Sequence, residues 1–218
     1  MTVSQRERSE KSTRALLDAA GEVIADVGYE NMTLAAVGER AGYSRGLVTA
    51  RFGSKENLLR ALVERMTAGW THRNVLPRTA GRPGLDGVVT LLDAIRAQAQ
   101  ADPRALRVLY ALMFEALGPN ADLRTHFVEF HRTMRSDIAK LVRRGLRDGS
   151  IRAGIDPVSE AVLIVGGLRG VAYQWALDAD AFDPVGALAY LTRVTEDRLR
   201  RGRESLPSAH QPSSERSR

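Results

Sequence analysis

Thr33-Leu34-Ala35-Ala36-Val37-Gly38-Glu39-Arg40-Ala41-Gly42-Tyr43-Ser44-Arg45-Gly46-Leu47-Val48-Thr49-Ala50-Arg51-Phe52 reads as a helix, a tight turn and a second helix. Thr33 and Ser44 each offer a hydroxyl to the orphan amides of a first helical turn, and Gly42 between them tolerates the positive φ a turn demands. Two helices that cross closely need a small residue at the approach, expected at Ala36 or Ala41. They also need apolar residues to lock the crossing, expected at Val37, Val48 and Phe52. One face of the second helix is then left free. From its N-terminal end project Arg45, Gly46, Leu47, Thr49 and Arg51. Such a set suits a DNA major groove: arginine pairs with guanine edges or phosphate, leucine meets thymine methyls, and glycine lets the backbone come close. Lys55, opening the next helix, adds a cation beside amides that already point outward, which suits a phosphate clamp.

The helical grammar extends in both directions. Leu16, Ala19, Ala20, Val23, Ile24 and Val27 form one stripe over Lys11 to Val27 that stops at Gly28, a residue suited to a left-handed C-cap. Gly53-Ser54 interrupts the chain before a longer helix carrying Leu58, Leu59, Leu62, Met66 and Trp70. Three Asp-Pro pairs, at Asp102-Pro103, Asp156-Pro157 and Asp183-Pro184, each join a capping carboxylate to a proline suited to the first helical position. Apolar residues recur at helical spacing after each pair, and no segment sustains the alternation of a strand. The spacing predicts helices at 85–100, 103–117, 122–148, 157–178 and 184–202, with ends good to about 2–4 residues, and a loop from Pro77 to Gly84. The fold class is therefore all-α with about nine helices. From Gly202 onward, prolines and serines without apolar period predict a disordered tail.

Composition agrees with a folded globule. Of 218 residues, 44% are hydrophobic and 27% charged, which excludes a mainly disordered or collagen-like chain. The absence of cysteine excludes disulfide frameworks, thiolate catalysis and cysteine-ligated metal. The first dozen residues are charged, unlike a signal peptide. The most apolar run, Ala161 to Leu168, meets Arg169 well short of the ~20 residues a membrane span requires. A soluble, cytoplasmic protein without membrane partner is expected. The net charge of +6 does not mark the candidate DNA-binding face, because residues 1–65 carry 10 Lys+Arg against 9 Asp+Glu and the excess lies toward the C-terminus. The placement of Arg45, Arg51 and Lys55 around a short exposed helix is the more specific signal.

Residues 12–65 resemble the N-terminal DNA-binding domain of TetR-family transcriptional regulators. The resemblance rests on Ala15-Leu16-Leu17-Asp18-Ala19-Ala20, Thr33, Gly42, Ser44-Arg45-Gly46, and Phe52-Gly53-Ser54-Lys55-Glu56-Asn57-Leu58-Leu59. It implies DNA contacts at Thr33, Ser44, Arg45, Gly46, Leu47, Thr49, Arg51 and Lys55. One departure stands out: the family commonly places Tyr where Thr49 stands, and His or Tyr at Ala50 or Arg51, so Thr49 and Arg51 would replace an aromatic phosphate contact. The implied organisation is a flexible arm at 1–11, the DNA-binding domain at 12–65, a helical ligand-binding and dimerisation domain at 66–202, and a disordered tail at 203–218. The implied function is a ligand-responsive regulator, usually a repressor, that binds a palindromic double-stranded operator as a homodimer and is released by a small-molecule effector.

For the remainder, the residues leave alternatives open. Small residues in the helix after Pro157, paired with the last helix, suit either packing within one chain or a four-helix bundle across a two-fold axis; the resemblance favours the dimer, with Val162, Gly166, Gly170, Leu188 and Leu191 at its interface. Trp70, Tyr110, Met113, Phe114, Phe127, Phe130 and Trp175 suit either core or a largely apolar effector pocket. Arg169 suits either an anionic ligand or an ion pair. His126 and His131 flank Glu129, but five-residue spacing turns them about 140° apart on a helix, unlike a one-face metal pair. No catalytic residue, metal site or cofactor is expected; the alternative is a helical small-molecule binding protein or enzyme without DNA function.

Overall fold

The computed structural model describes residues 4–68 and 75–200. Within them the chain forms ten helices: α1 Gln5–Asn31, α2 Leu34–Arg40, α3 Arg45–Phe52, α4 Lys55–Thr67, α5 Leu76–Thr79, α6 Gly84–Ala101, α7 Pro103–Glu115, α8 Ala121–Asp148, α9 Pro157–Leu177 and α10 Pro184–Leu199. The described residues include no strand, only an isolated bridge between Ile151 and Arg200. No described helix is long and apolar enough to cross a membrane.

Local chemistry sets most boundaries. Thr33, Ser44 and Ser54 each accept a hydrogen bond from the amide three residues on, opening α2, α3 and α4. Asp102, Asp156 and Asp183 cap α7, α9 and α10 with proline in each first turn. Three boundaries differ from the sequence reading. Helix α1 opens at Gln5 rather than Lys11, because Ser4 and Glu7 form a reciprocal capping box; residues 5–11, expected in a flexible arm, are helical. Its ladder breaks at Gly28 as expected, with φ 79°, but one further turn follows to Asn31. Leu76–Thr79 forms a helical turn inside the expected loop, which brings the count to ten. The tail at 203–218 and Trp70 lie outside the described residues.

Two apolar cores result. In the first, Leu16, Ala20, Val23 and Ile24 of α1 meet Val37 of α2, Val48 of α3 and Leu58, Leu59, Leu62 and Val63 of α4. Val108 and Leu112 of α7 and Leu123 and Phe127 of α8 belong to the same core, so it continues well beyond residue 65. In the second, α6 packs against α8 and α10, and α8 against α9, around Leu91, Ile138, Val142, Ile164 and Leu199. Helix α8 runs through both: its first two turns complete the first core and its later turns the second. Phe130, half-buried between, packs against both.

Candidate functional site

The α2–α3 unit is fastened by backbone geometry. Gly42 adopts φ 73° in the turn, and the Tyr43 amide donates to the Gly38 carbonyl at 2.8 Å. The small residue at the crossing is Gly38, not Ala36 or Ala41: a Cβ on Gly38 would lie 3.0 Å from Ser44 C and 3.0 Å from Tyr43 O. Val37 and Val48 are fully buried, as a locked crossing requires, and Phe52 packs against the same core.

The face left outside presents Ser44, Arg45, Gly46, Thr49 and Arg51, all exposed, with Thr33 exposed at the start of α2. Leu47 differs from expectation in being half-buried against the first core, so it offers an edge rather than a whole side chain. Arg45 makes no hydrogen bond or ion pair among the described residues. The other two cations are held in place. Arg51 donates to the hydroxyls of Ser9 and Ser12 on α1, the latter at 3.3 Å. Lys55 Nζ lies 2.9 Å from the Glu30 carbonyl and 4.4 Å above the Tyr29 ring. A nearby arginine, Arg40 of α2, is neutralised: it pairs with Asp26 at 2.9 Å and Glu22 at 3.3 Å, while Arg104 of α7 binds the other oxygen of Asp26 at 2.8 Å. Arg40, Asp26 and Arg104 thus tie α2, through α1, to α7.

Beneath this unit, a cavity of about 380 Å³ opens among α4, α6, α7, α8, α9 and α10, near the lower end of the ~300–1,000 Å³ typical of small-molecule pockets. Its walls are mostly apolar, with Leu106, Leu109, Met134, Leu168 and Leu188 prominent. Arg65 and Met66 of α4 reach its rim. Arg169 of α9 is the polar centre. Its Nε donates to His131 Nε2 at 3.1 Å, one Nη donates to the Tyr110 hydroxyl at 2.9 Å, and the other lies 3.4 Å from the Met134 sulfur. The guanidinium also sits 5.5 Å from the ring centroids of both Tyr110 and Phe130. Burial first, then the charges of Arg169 and Arg135, push His131 down to about 4, so its ring is neutral and accepts from Arg169.

Of the aromatic and sulfur residues read from sequence, Tyr110 and Phe130 line the cavity. Met113 and Phe127 instead join the first core. Phe114 is exposed and stacks at 5.0 Å on Tyr173, and Trp175 is buried away from the cavity. The aliphatic lining was missed because Leu106, Leu109 and Leu168 carry the same helical period as any core residue. Arg169 was visible as the cation that breaks an apolar helix, and no carboxylate pairs with it among the described residues.

A further surface lies on α9 and α10. Val158, Val162, Tyr173 and Leu177 recur at helical spacing and are 40–70% exposed, joined by Tyr190 and Val194 of α10. Gly166 and Gly170 continue the stripe, with no atom within 4 Å of where a Cβ would stand. Two residues expected here face inward: Leu188 is buried on the cavity wall, and Leu191 packs over Gly167. The residues weighed as a metal set are separately engaged, His126 with Thr67 at 2.8 Å, Glu129 with Arg132 and Thr133, and His131 with Arg169.

Known proteins share this fold. The family of bacterial regulatory proteins called tetR matches residues 16–62, and the C-terminal region of BetI-type transcriptional repressors matches residues 85–200. Over 194 residues the chain is 23% identical to the A-factor receptor protein of Streptomyces griseus, a match covering 88% of this chain and 64% of that one, just under two thirds of its length. A transcriptional regulator from Saccharomonospora viridis, solved in complex with choline, superimposes with a TM-score of 0.77 at 18% identity, covering 88% of this chain and 100% of that one. The regulator FadR of Bacillus subtilis, in complex with stearoyl-CoA, superimposes with a TM-score of 0.74 at 19% identity, covering 85% and 98%. At these identities the superpositions establish the fold.

Proposed function

Since the chain belongs to the TetR family of bacterial transcriptional regulators, we propose that it is a DNA-binding repressor whose hold on its operator is set by a small molecule in the α4–α10 cavity. The observation that carries this reading is the pairing, in one chain, of an exposed α3 face bearing an unpaired Arg45 with an internal cavity whose rim includes the end of α4. The matched families are regulators rather than enzymes.

In this reading residues 12–65 read DNA and residues 66–202 sense ligand and dimerise, with the protein acting in the cytoplasm. Ser44, Arg45, Gly46 and Thr49 meet base edges, with the half-buried Leu47 adding an edge, and Thr33, Arg51 and Lys55 meet phosphate. Arg51 and Lys55, held against α1 before binding, lose less side-chain freedom when they bind. The exposed stripe of α9 and α10 pairs with its copy across a two-fold axis, presenting two α3 helices to half-sites about 34 Å apart. A ligand that prefers the spacing unfit for DNA shifts the population toward it, and the coupling is reciprocal. The Arg65 and Met66 rim on α4 and the Arg104–Asp26–Arg40 link are two physical connections through which the cavity and the DNA-reading unit bias one another.

The test begins with a selection of bound genomic fragments, followed by titration of the selected duplex and a random one at several salt concentrations. Arg45→Ala is expected to lose sequence discrimination worth about 1–3 kcal/mol. Lys55→Ala is expected to weaken both duplexes alike and to lower the salt slope. Unchanged operator binding by both variants overturns the site, and the absence of any preferred duplex overturns the function.

A further inference from the structure

Arg169 is a charged group in a mostly apolar setting. No carboxylate pairs with it among the described residues. Around its guanidinium stand two aromatic rings, a neutral imidazole, a phenol and a thioether. A partly buried cation left this way costs free energy that hydrogen bonds and ring faces only partly return.

The donor count is informative. A guanidinium has five N–H bonds. Nε uses its one on His131; each Nη has two and uses one, on the Tyr110 hydroxyl and on the weakly accepting Met134 sulfur. One N–H on each Nη remains, which is the number two carboxylate oxygens take. Tyr110 strengthens the arrangement: its hydroxyl accepts from Arg169 and turns its own proton to the Leu168 carbonyl at 3.4 Å, so it reinforces the positive centre without adding negative charge.

The rest of the cavity selects the charge and the body of an occupant. Arg65, the other cation at the wall, is already paired with Asp18 at 2.7 Å, and Asp102 adds a negative group that caps α7. A single cation without a direct carboxylate partner among the described residues, with the negative Asp102 on the same wall, matches a monoanion better than a dianion such as a phosphate monoester. A cation is disfavoured, because Arg169 already occupies the aromatic positions that would attract it and repels a second positive charge. Leu106, Leu109, Leu168, Ala172 and Leu188 then offer an apolar wall, and about 380 Å³ admits a compact molecule.

We propose that the effector is a compact amphipathic monocarboxylate, its carboxylate held by Arg169 and its hydrocarbon body lying against α7, α9 and α10. The assignment rests on the regulatory reading for the word effector, but the binding site itself is testable without DNA. The probes are three molecules of one shape, octanoate, octanamide and octylamine, titrated by calorimetry and by thermal shift into the full chain, in parallel with Arg169→Met and Arg169→Lys. Saturable binding of octanoate is expected, with octanamide about 10- to 100-fold weaker, as loss of a charge-assisted pair implies, and octylamine weaker still. Arg169→Met should erase the preference for the acid over the amide, and Arg169→Lys should keep the sign of that preference at reduced affinity. Where Arg169→Met does not fold, the Arg169→Lys and probe-series results decide. Equal or tighter binding of the amide or amine overturns the proposal, as does no saturable binding by linear monocarboxylates of about six to ten carbons, or an acid preference that survives in Arg169→Met. Acid binding at Arg169 that leaves operator affinity unchanged supports the site and overturns the regulatory reading instead.

Discussion

Replacing Gly38 by alanine tests how the DNA-reading unit is built. The added Cβ would stand 3.0 Å from Ser44 C, 3.0 Å from Tyr43 O and 3.1 Å from Arg45 N. All three are backbone atoms of the turn and the first residue of α3, so no rotamer change relieves the crowding. The turn must retreat by a few tenths of an ångström, stretching the 2.8 Å bond from the Tyr43 amide to the Gly38 carbonyl. In an open helix the substitution gains about 1 kcal/mol from the less flexible unfolded chain; overpacking against backbone costs about 1–3 kcal/mol. The expected balance is a loss of up to about 2 kcal/mol, or up to about 8 °C in Tm at about 2–4 °C per kcal/mol for a chain of this size. Gly21 of α1 supplies the control, since nothing lies within 4 Å of its Cβ position. Gly21→Ala is expected to raise Tm by about 1–4 °C. Differential scanning calorimetry measures both, and fluorescence anisotropy on the selected duplex measures the displacement of α3, expected to weaken Gly38→Ala by about tenfold, the loss of roughly one good base contact. A Gly38→Ala protein as stable as wild type, with unchanged operator affinity, refutes the close approach as the reason for glycine there.

The buried Glu160 of α9, its side chain 4% exposed, is gripped by both terminal nitrogens of Arg198 on α10, 36% exposed. Arg198→Ala strands that carboxylate; discounted for the arginine's exposure, the loss is about 2 kcal/mol in urea unfolding, and a change below about 0.5 kcal/mol shows the clasp to be idle. His131 lies at about 4 in the fold against an ordinary 6.5, so the unfolded chain binds the extra proton. Stability is therefore expected to fall as pH drops from about 6.5 toward 4, and His131→Gln to flatten that slope in pH-dependent thermal melts; an unaltered slope assigns it to other groups. Val162→Arg, at a position 51% exposed, should leave the helical fold intact while shifting sedimentation from dimer to monomer, and a wild-type chain that sediments as a monomer contradicts the two-fold reading.

The parts of this fold legible in the sequence are those whose chemistry closes within a few residues. Asp102, Asp156 and Asp183 bond amides two or three positions on, and each marks a helix start that proline reinforces. Gly38 was not legible, because Ala36 and Ala41 are also small and only the crossing geometry decides which residue is crowded. The cavity was legible in part. Tyr110, Met113 and Phe114 lie within one helical turn of each other, yet one enters the cavity, one packs on the first core and one meets solvent. On α10 a rotation of about 100° per residue separates Leu188 and Leu191, which face inward, from Tyr190 and Val194, which do not. Composition along the chain cannot supply that phase; packing against α6 and α9 does.

Helix α8 bears on how such proteins can be recombined. Its opening turns, with Val108 and Leu112 of α7, belong to the core that supports α3. A cut after residue 65 would remove Val108, Leu112, Leu123 and Phe127 from that core. The transplantable unit is therefore not a contiguous head: a graft that moves this DNA specificity onto another sensor must carry the matching faces of α7 and α8, or rebuild them from the recipient.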